Sequence, residues 1–313
     1  MSKIICIGEA LIDFIGQQPG TLLKNQDLWS PKIGGAPLNV ACVASALGSV
    51  TQFIGSVGND GFGEAIKETL MEYGVDLTGV QEVEAPTTLA FVSLDPHGER
   101  EFVFNRGADA FLDYNMIHKI IDKDCAIWHF GSATALMPGV LQKTYKKTWE
   151  YLKANNVFLS FDPNYRSVFW GKDKKGFQRA CQPFMAQADL VKLSEEEALL
   201  LAERDALVDA IEVLKQKCNG VIVITLGANG AWVFNQHWKI HVPTKPVKVV
   251  DSTGAGDGFI AAFLHQLSKE DNLHQAVKDV NKVKEITQES NHIGAIICTE
   301  KGALTAIKAY KNL

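Results

Sequence analysis

The chain reads as an α/β protein with a doubly wound, mainly parallel sheet, and three observations carry that reading. Short apolar runs bounded by glycine alternate with helix-patterned stretches along most of the 313 residues. Polar residues gather just after those runs, where an open parallel sheet collects the groups that meet a ligand. The content, 46% hydrophobic and 21% charged, is that of a soluble protein with a substantial core.

Composition also narrows the partners. Lys plus Arg is 31 against 36 for Asp plus Glu, a net −5, so no basic field supports nucleic-acid or anionic-membrane binding. Any anion must be held by a local site. The six cysteines (6, 42, 125, 181, 218, 298) are scattered, with no C-x-x-C pair and no histidine at ligand spacing. They read as thiols of a reducing compartment, without a structural metal. Glu9 and Asp13 interrupt any signal-peptide core, and no apolar run reaches membrane-spanning length, so a cytoplasmic protein is expected.

Taken in order, Lys3 to Gly8 is a buried parallel strand, and Asp13 follows it in position to meet a ligand or to be a solvated loop carboxylate. Gly34-Gly35-Ala-Pro-Leu-Asn39 opens a helix with Val40, Val43, Ala44 and Leu47 inward and Gly48 as its stop. The glycine pair permits close backbone contact, and Asn39 can hydrogen-bond hydroxyls. Val50 to Val57 is a strand; a glycine-rich turn then leads to a helix with Phe62, Ile66, Leu70 and Tyr73 inward. That turn lacks the lysine of a nucleotide loop and reads as structural.

From Thr87 to Phe104 the pattern changes to alternating strands around Asp95-Pro-His-Gly-Glu, a β-hairpin with Phe91, Phe102 and Phe104 on one side. It reads as a lid over a site, a surface for a second subunit, or a sheet extension. Strands then recur at Ala126–Phe130, Val157–Phe161, Asp189–Leu193 and Val221–Thr225, with a helix at Val140–Leu152. There is no linker and no internal repeat, so a single domain spanning 1–313 is expected.

The most informative stretch is Asp251-Ser-Thr-Gly-Ala-Gly-Asp-Gly-Phe259, between a β-patterned run at 245–250 and a helix to about Leu267. Glycines at a helix mouth let a ligand approach the backbone, and the unpaired N–H groups and partial positive charge there suit a phosphate oxygen. Asp257 is then either an N-terminal cap or a general base for an attacking hydroxyl. Ser194-Glu-Glu-Glu197 similarly reads as a capping box or as a carboxylate for Mg²⁺. Asn164 and Arg166 follow a strand, and the arginine can fork onto a phosphate or make a surface ion pair. His129 reads as a packed core histidine.

Together these motifs resemble the ribokinase-like (PfkB) carbohydrate kinases over essentially the whole chain. Gly34-Gly-Ala-Pro-Leu-Asn39 and Asp251-Ser-Thr-Gly-Ala-Gly-Asp-Gly258 are the most specific matches. The resemblance implies an α/β/α sandwich with a small β lid formed from roughly 12–32 and 86–106. It implies Asp257 as catalytic base, with the amides of Gly254, Ala255, Gly256 and Asp257 as anion hole and Arg166 beside the transferring phosphate. Asp13, Gly34, Gly35, Asn39 and Asn164 would meet the sugar, with Phe91 and Phe104 of the lid packing over it. Lys192, Ser194, Thr225, Gly227, Gly230 and Asn291 fall on the ATP side.

Ser194 stands where the family has Asn, which leaves Glu197 as the water-mediated Mg²⁺ contact. Asp251 and Thr253, with carbonyls near Ile297, Glu300 and Gly302, fit a family K⁺ site. Within the family the chain looks most like the bacterial fructokinases. The 2-keto-3-deoxygluconate kinases are the alternative, which Arg106 and Arg166 keep open as partners for a sugar carboxylate. A homodimer through the lid is expected from its exposed edges.

Overall fold

The computed structural model describes residues 1–94, 100–121 and 126–311. The Asp95-Pro-His-Gly-Glu turn and Cys125 lie outside the described residues.

Among the described residues, thirteen strands are arranged in two sheets. They are β1 (Lys3–Ile7), β2 (Leu11–Gly16), β3 (Trp29–Gly34), β4 (Thr51–Gly58), β5 (Asp76–Val83), β6 (Leu89–Leu94) and β7 (Arg100–Asn105). The second half supplies β8 (Ala126–Phe130), β9 (Phe158–Phe161), β10 (Leu190–Ser194), β11 (Val221–Thr225), β12 (Ala231–Phe234) and β13 (Lys239–Val242). The large sheet has the order β13-β12-β11-β10-β9-β8-β1-β4-β5 and is parallel except where β12 pairs with β11 and β13.

Period-two alternation fixes which core each strand residue enters. Ile4 and Cys6 join the cluster under the helices Ala36–Ala46, Ala255–Leu267 and Val280–Ile297. Ile5 and Ile7 point to the opposite face, against Val140–Ala154 and Lys174–Gln187. Helices on both faces bury both sides of the strands, which is why those strands are continuous apolar runs in sequence. β1 lies between β4 and β8, so the winding direction reverses there, and ligands of such sheets bind beyond the strand ends at that point.

The small sheet has the order β3-β2-β6-β7, with β2 and β6 parallel and the two outer pairs antiparallel. Its strands leave the body beyond the end of β1 and form the lid. Its register corrects one expectation. Asp13 pairs with Ala90 and Ala90 with Phe104, so these three share a face. Phe91 pairs with Phe14 and Val103 on the other face, stacked on Phe14 with ring centroids 5.0 Å apart and edge-on to Trp29. Phe91 and Phe104 therefore cannot both cover one site, and Phe91 belongs to an aromatic cluster on the side away from Asp13.

Two further expectations are corrected. Residues 245–250 form no strand; Val247, Val249 and Val250 are exposed, and the alternation there marks an extended surface segment. Phe62, expected inward, is 38% exposed and meets Phe14 of the lid edge-on, while Ile66 and Leu70 of the same helix are buried.

Candidate active site

The helix Ala255–Leu267 begins where the sequence places it, capped by Gly254 at φ +79°. This left-handed backbone suits glycine, and a Cβ here would sit 2.3 Å from that of Ala303. The Ala255 amide turns back to Ser252 O at 3.2 Å. Of the four expected anion-hole amides, those of Gly256 and Asp257 belong to the first turn and have no preceding helical carbonyl to reach.

Asp257 sits in that first turn, and Asn39 Nδ2 donates to its Oδ2 at 2.8 Å. Burial pushes the Asp257 carboxyl up to about 6; Asn39, Lys192 and Arg166 pull the other way. Asp13 is likewise raised to about 6 by burial, against the charge of Arg166, with Asp257 adding to the rise. These causes place Asp13, Asp257 and Arg166 around one space. Gly34 lies against Asp13, since a Cβ there would be 2.2 Å from Asp13 Oδ2. Gly35, at φ +113°, packs on Glu9 O. Phe104 is edge-on to Phe169 at 4.5 Å, on the lid face of Asp13.

The turn after β9 contributes Asp162 to Arg166. Asn164 has φ +46°, and its amide bonds Asp162 Oδ1 at 3.2 Å. Asn164 Nδ2 and Asn39 Oδ1 are buried with no hydrogen-bond partner among the described residues. A donor and an acceptor left open at the same strand-end edge suit a polyhydroxylated ligand, because buried polar groups otherwise find partners.

Sequence reasoning singled out Lys192 only through resemblance, and its partner Asp162 not at all. Lys192 Nζ pairs with Asp162 Oδ2 at 2.9 Å in a nearly buried contact. Burial alone would lower the lysine's pKa, but the carboxylates of Asp162, Glu197 and Asp257 raise it overall. A Cβ on Gly256 would lie 2.9 Å from Lys192 Nζ, so a cation sits directly beside the helix mouth. A buried lysine in a continuous apolar strand was the available signal.

Ser194 and Glu197 form a complete capping box: Ser194 N donates to Glu197 Oε2 at 2.7 Å, and Glu197 N to Ser194 Oγ at 3.2 Å. The other carboxylate oxygen accepts the Tyr165 amide at 2.6 Å, which ties this helix to the Asn164–Arg166 turn. Among the described residues, no group of three or more His, Cys, Asp or Glu is placed to hold a metal ion.

Thr225 Oγ1 bonds Leu193 O at 3.3 Å, and Gly227 and Gly230, both at positive φ, bound the loop after β11. Asn291 Nδ2 donates to Val242 O at 3.0 Å and Pro243 O at 3.3 Å, which spends its donors on the neighbouring backbone. Asp251 Oδ1 accepts from Thr253 N and Oγ1, and its Oδ2 from Gly302 N at 3.0 Å. These bonds, with Val250 N to Cys298 O at 2.8 Å, bring 250–253 against the end of the Ile297 helix and the 300–302 turn.

His129 is buried, bonded to Ser160 Oγ at 3.0 Å, and pushed down to about 3 by burial and the Lys192 charge, as befits a core residue. Arg106 is held by Asp109 at 3.2 Å and by Thr134 O at 3.3 Å.

A glycine-capped helix mouth with a raised carboxyl in its first turn, and unpartnered buried polar atoms of Asn39 and Asn164, suit phosphoryl transfer to a polyhydroxylated acceptor on an α/β scaffold. The chain belongs to the pfkB family of carbohydrate kinases, whose model matches residues 1–308, and it is a sugar kinase. It is 35% identical over 309 residues to a probable fructokinase-5 of Arabidopsis thaliana, covering 97% of this chain and 94% of the relative. A fructokinase of Xylella fastidiosa crystallised with ATP superposes with a TM-score of 0.85 at 29% identity, over 97% of this chain and 94% of that one. A fructokinase of Vibrio cholerae bound to fructose, ADP and calcium gives 0.83 at 29% identity, over 100% and 98%.

Proposed function

We propose that the chain transfers the γ-phosphoryl group of ATP to the primary hydroxyl of D-fructose, giving fructose 6-phosphate. The observation that carries this reading is Asp257: a carboxyl raised toward neutrality in the first turn of a glycine-capped helix, oriented by Asn39. It takes the proton from the hydroxyl as the oxygen attacks phosphorus and ADP departs. The Gly256 and Asp257 amides, Lys192 and Arg166 stabilise the charge on the transferring oxygens. Asp13, Gly34, Gly35, Asn39 and Asn164 hold the sugar beneath Phe104. Thr225, Gly227 and Gly230 border the nucleotide, and Asn291 shapes its edge through the 242–243 backbone.

A divalent ion, taken here as Mg²⁺, neutralises the nucleotide phosphates when bound. Glu197, whose two oxygens already accept backbone amides, would contact such an ion through water rather than directly. For K⁺ the residue chemistry fits: Asp251 is tied to Gly302 N through its carboxylate and to Cys298 O through its amide, so its carboxylate and the backbone of 297–302 would supply the oxygens.

The neutral sugar is favoured over 2-keto-3-deoxygluconate because, of the two arginines that could meet a sugar carboxylate, Arg106 is already paired with Asp109 and Arg166 is assigned here to the transferring phosphate. Exposed Phe102 and Val103 on β7 and Leu28 beside β3 support a homodimer through the lid, which a monomeric mass in sedimentation would exclude. No helix among the described residues is long and apolar enough to cross a membrane, consistent with a cytoplasmic location. The deciding experiment is ADP release with fructose, 2-keto-3-deoxygluconate, ribose and nucleosides. Fructose should give the highest kcat/KM; tight sugar binding without ADP from any of them would instead mark a non-catalytic regulator.

A further inference from the structure

We infer that Glu9 is a positioning residue for the sugar. Its carboxylate pins the Gly35–Asn39 turn to the 132–134 loop and, through Asn39, sets the catalytic carboxyl of Asp257. The inference rests on the sugar-kinase reading of the site.

Glu9 follows β1 and is 2% exposed, yet no bound sugar or nucleotide is needed to explain its surroundings. Every partner of its carboxylate is a donor. Ala36 N reaches Oε1 at 3.4 Å and Ala133 N reaches it at 3.3 Å. Ser132 Oγ donates to Oε2, and is free to do so because its acceptor side is filled by Ala135 N at 3.0 Å. The three segments meet with no slack. A Cβ on Gly8 would sit 2.6 Å from Ser132 Cβ and 2.8 Å from Pro37 Cγ, and a Cβ on Gly35 would sit 2.4 Å from Glu9 O.

The chain of contacts then runs onward without a gap. Ala36 begins the helix Ala36–Ala46, Asn39 lies one turn along it, and Asn39 Nδ2 holds Asp257 Oδ2. The same loop anchors the lid. Arg106 reaches Thr134 O, and Asp109, which it pairs with, accepts Thr88 Oγ1 at the start of β6. Thr88 O in turn accepts Ile12 N at 3.0 Å. Releasing Glu9 thus loosens the sugar turn against the body while leaving the nucleotide loops after β10 and β11 untouched.

The test uses full-length Glu9→Gln, Ser132→Ala and the double variant, with steady-state kinetics and calorimetric fructose binding. Gln keeps the shape but presents an NH₂ where Ser132 donates. Each single variant should lower kcat/KM for fructose by about ten- to hundredfold, the scale of a misplaced reacting group. The loss should appear in kcat as well as in the fructose KM and Kd, with the ATP KM and the melting temperature near wild type. The double variant should be no worse than the poorer single variant, because both remove one tie. Unchanged fructose KM in both singles overturns the inference, as does a parallel loss of both KM values and thermal stability. Should Glu9→Gln fail to fold, Ser132→Ala carries the same test. A wild-type chain that releases ADP with no sugar fails the parent reading instead, and fructose Kd then reports on the tie alone.

Discussion

Asn39 Nδ2 lies 2.8 Å from Asp257 Oδ2, across a sequence separation of 218 residues. This contact joins the helix that starts at the Gly34-Gly35 turn to the helix that starts at Gly254, and it shapes what Asp257 can do. The bond favours the carboxylate, while burial opposes it, and burial wins. A carboxyl so balanced is a better proton acceptor than an ordinary aspartate near neutral pH.

Replacing Asp257 by Asn removes the base and keeps the shape. Turnover should fall by roughly 10²–10⁴, the usual scale for a lost general base. Fructose binding should survive. Steady-state ADP release and calorimetry check the two halves, and near-normal turnover would remove Asp257 from the mechanism.

The pH dependence follows from the same group. Activity needs the ionised form, so kcat/KM should fall as pH drops through about 6 and level off above it. Stability should run in the opposite direction. The folded chain holds this proton more tightly than the unfolded one, whose carboxyl has the ordinary value of 3.8. The resulting contribution is full below about 3.8 and lost as pH rises through about 6. Asp257→Asn removes that loss, so the variant should melt higher than wild type at pH 8 and lose the advantage at pH 4. An equal melting difference at both pH values would contradict the assigned burial effect.

Glu197 separates two roles that its position allows. The capping box and the Tyr165 amide use both oxygens, so Glu197→Ala leaves buried N–H groups unmet, a cost of about 1–3 kcal/mol. Because the Tyr165 amide is adjacent to Asn164 and Arg166, the fructose KM should rise as well. If Glu197 also acts on Mg²⁺ through water, the Mg²⁺ concentration for half-maximal rate should increase. An unchanged Mg²⁺ titration with lower stability would leave it purely a cap.

The buried Lys192–Asp162 pair behaves differently from a surface ion pair. Lys192→Met strands the Asp162 carboxylate and should destabilise by about 3–5 kcal/mol, besides removing a cation beside Gly256. Converting both partners to neutral residues, Lys192→Met with Asp162→Asn, should recover much of the stability but not the turnover. Recovery of both in denaturant melts and ADP assays would assign the pair to structure alone.

What could be read from sequence divides along physical lines. Strands buried on both faces, such as β1 and β11, announce themselves as apolar runs, and the glycines at 34–35 and 254–256 mark close backbone approach. The 245–250 segment mimicked that grammar with alternating valines, yet among the described residues no strand pairs with it, and Val250 N reaches only the Cys298 carbonyl at a helix end. The lid was legible as β structure but not in its facing, because both faces carry aromatics and only the pairing of Asp13 with Ala90 sets the register. Lys192 with Asp162, and Glu9 with Ser132, were hidden because each joins segments far apart in the chain.

The lid register yields the sharpest remaining contrast between two phenylalanines thirteen residues apart. Phe104 shares the face of Asp13 and meets Phe169, next to the Asn164–Arg166 turn. Phe104→Ala should therefore raise the fructose KM and increase sugar-independent ATP hydrolysis, since water reaches the transferring phosphate. Phe91 stacks on Phe14 and meets Trp29 edge-on, on the opposite face. Phe91→Ala should instead lower the melting temperature, through loss of aromatic packing worth about 3–5 kcal/mol at most for a buried ring and less for this half-buried one. Its fructose KM should stay close to wild type. Kinetics on both variants with a thermal melt decide the matter: a fructose KM that responds to Phe91 and ignores Phe104 would place the sugar on the other face of the lid.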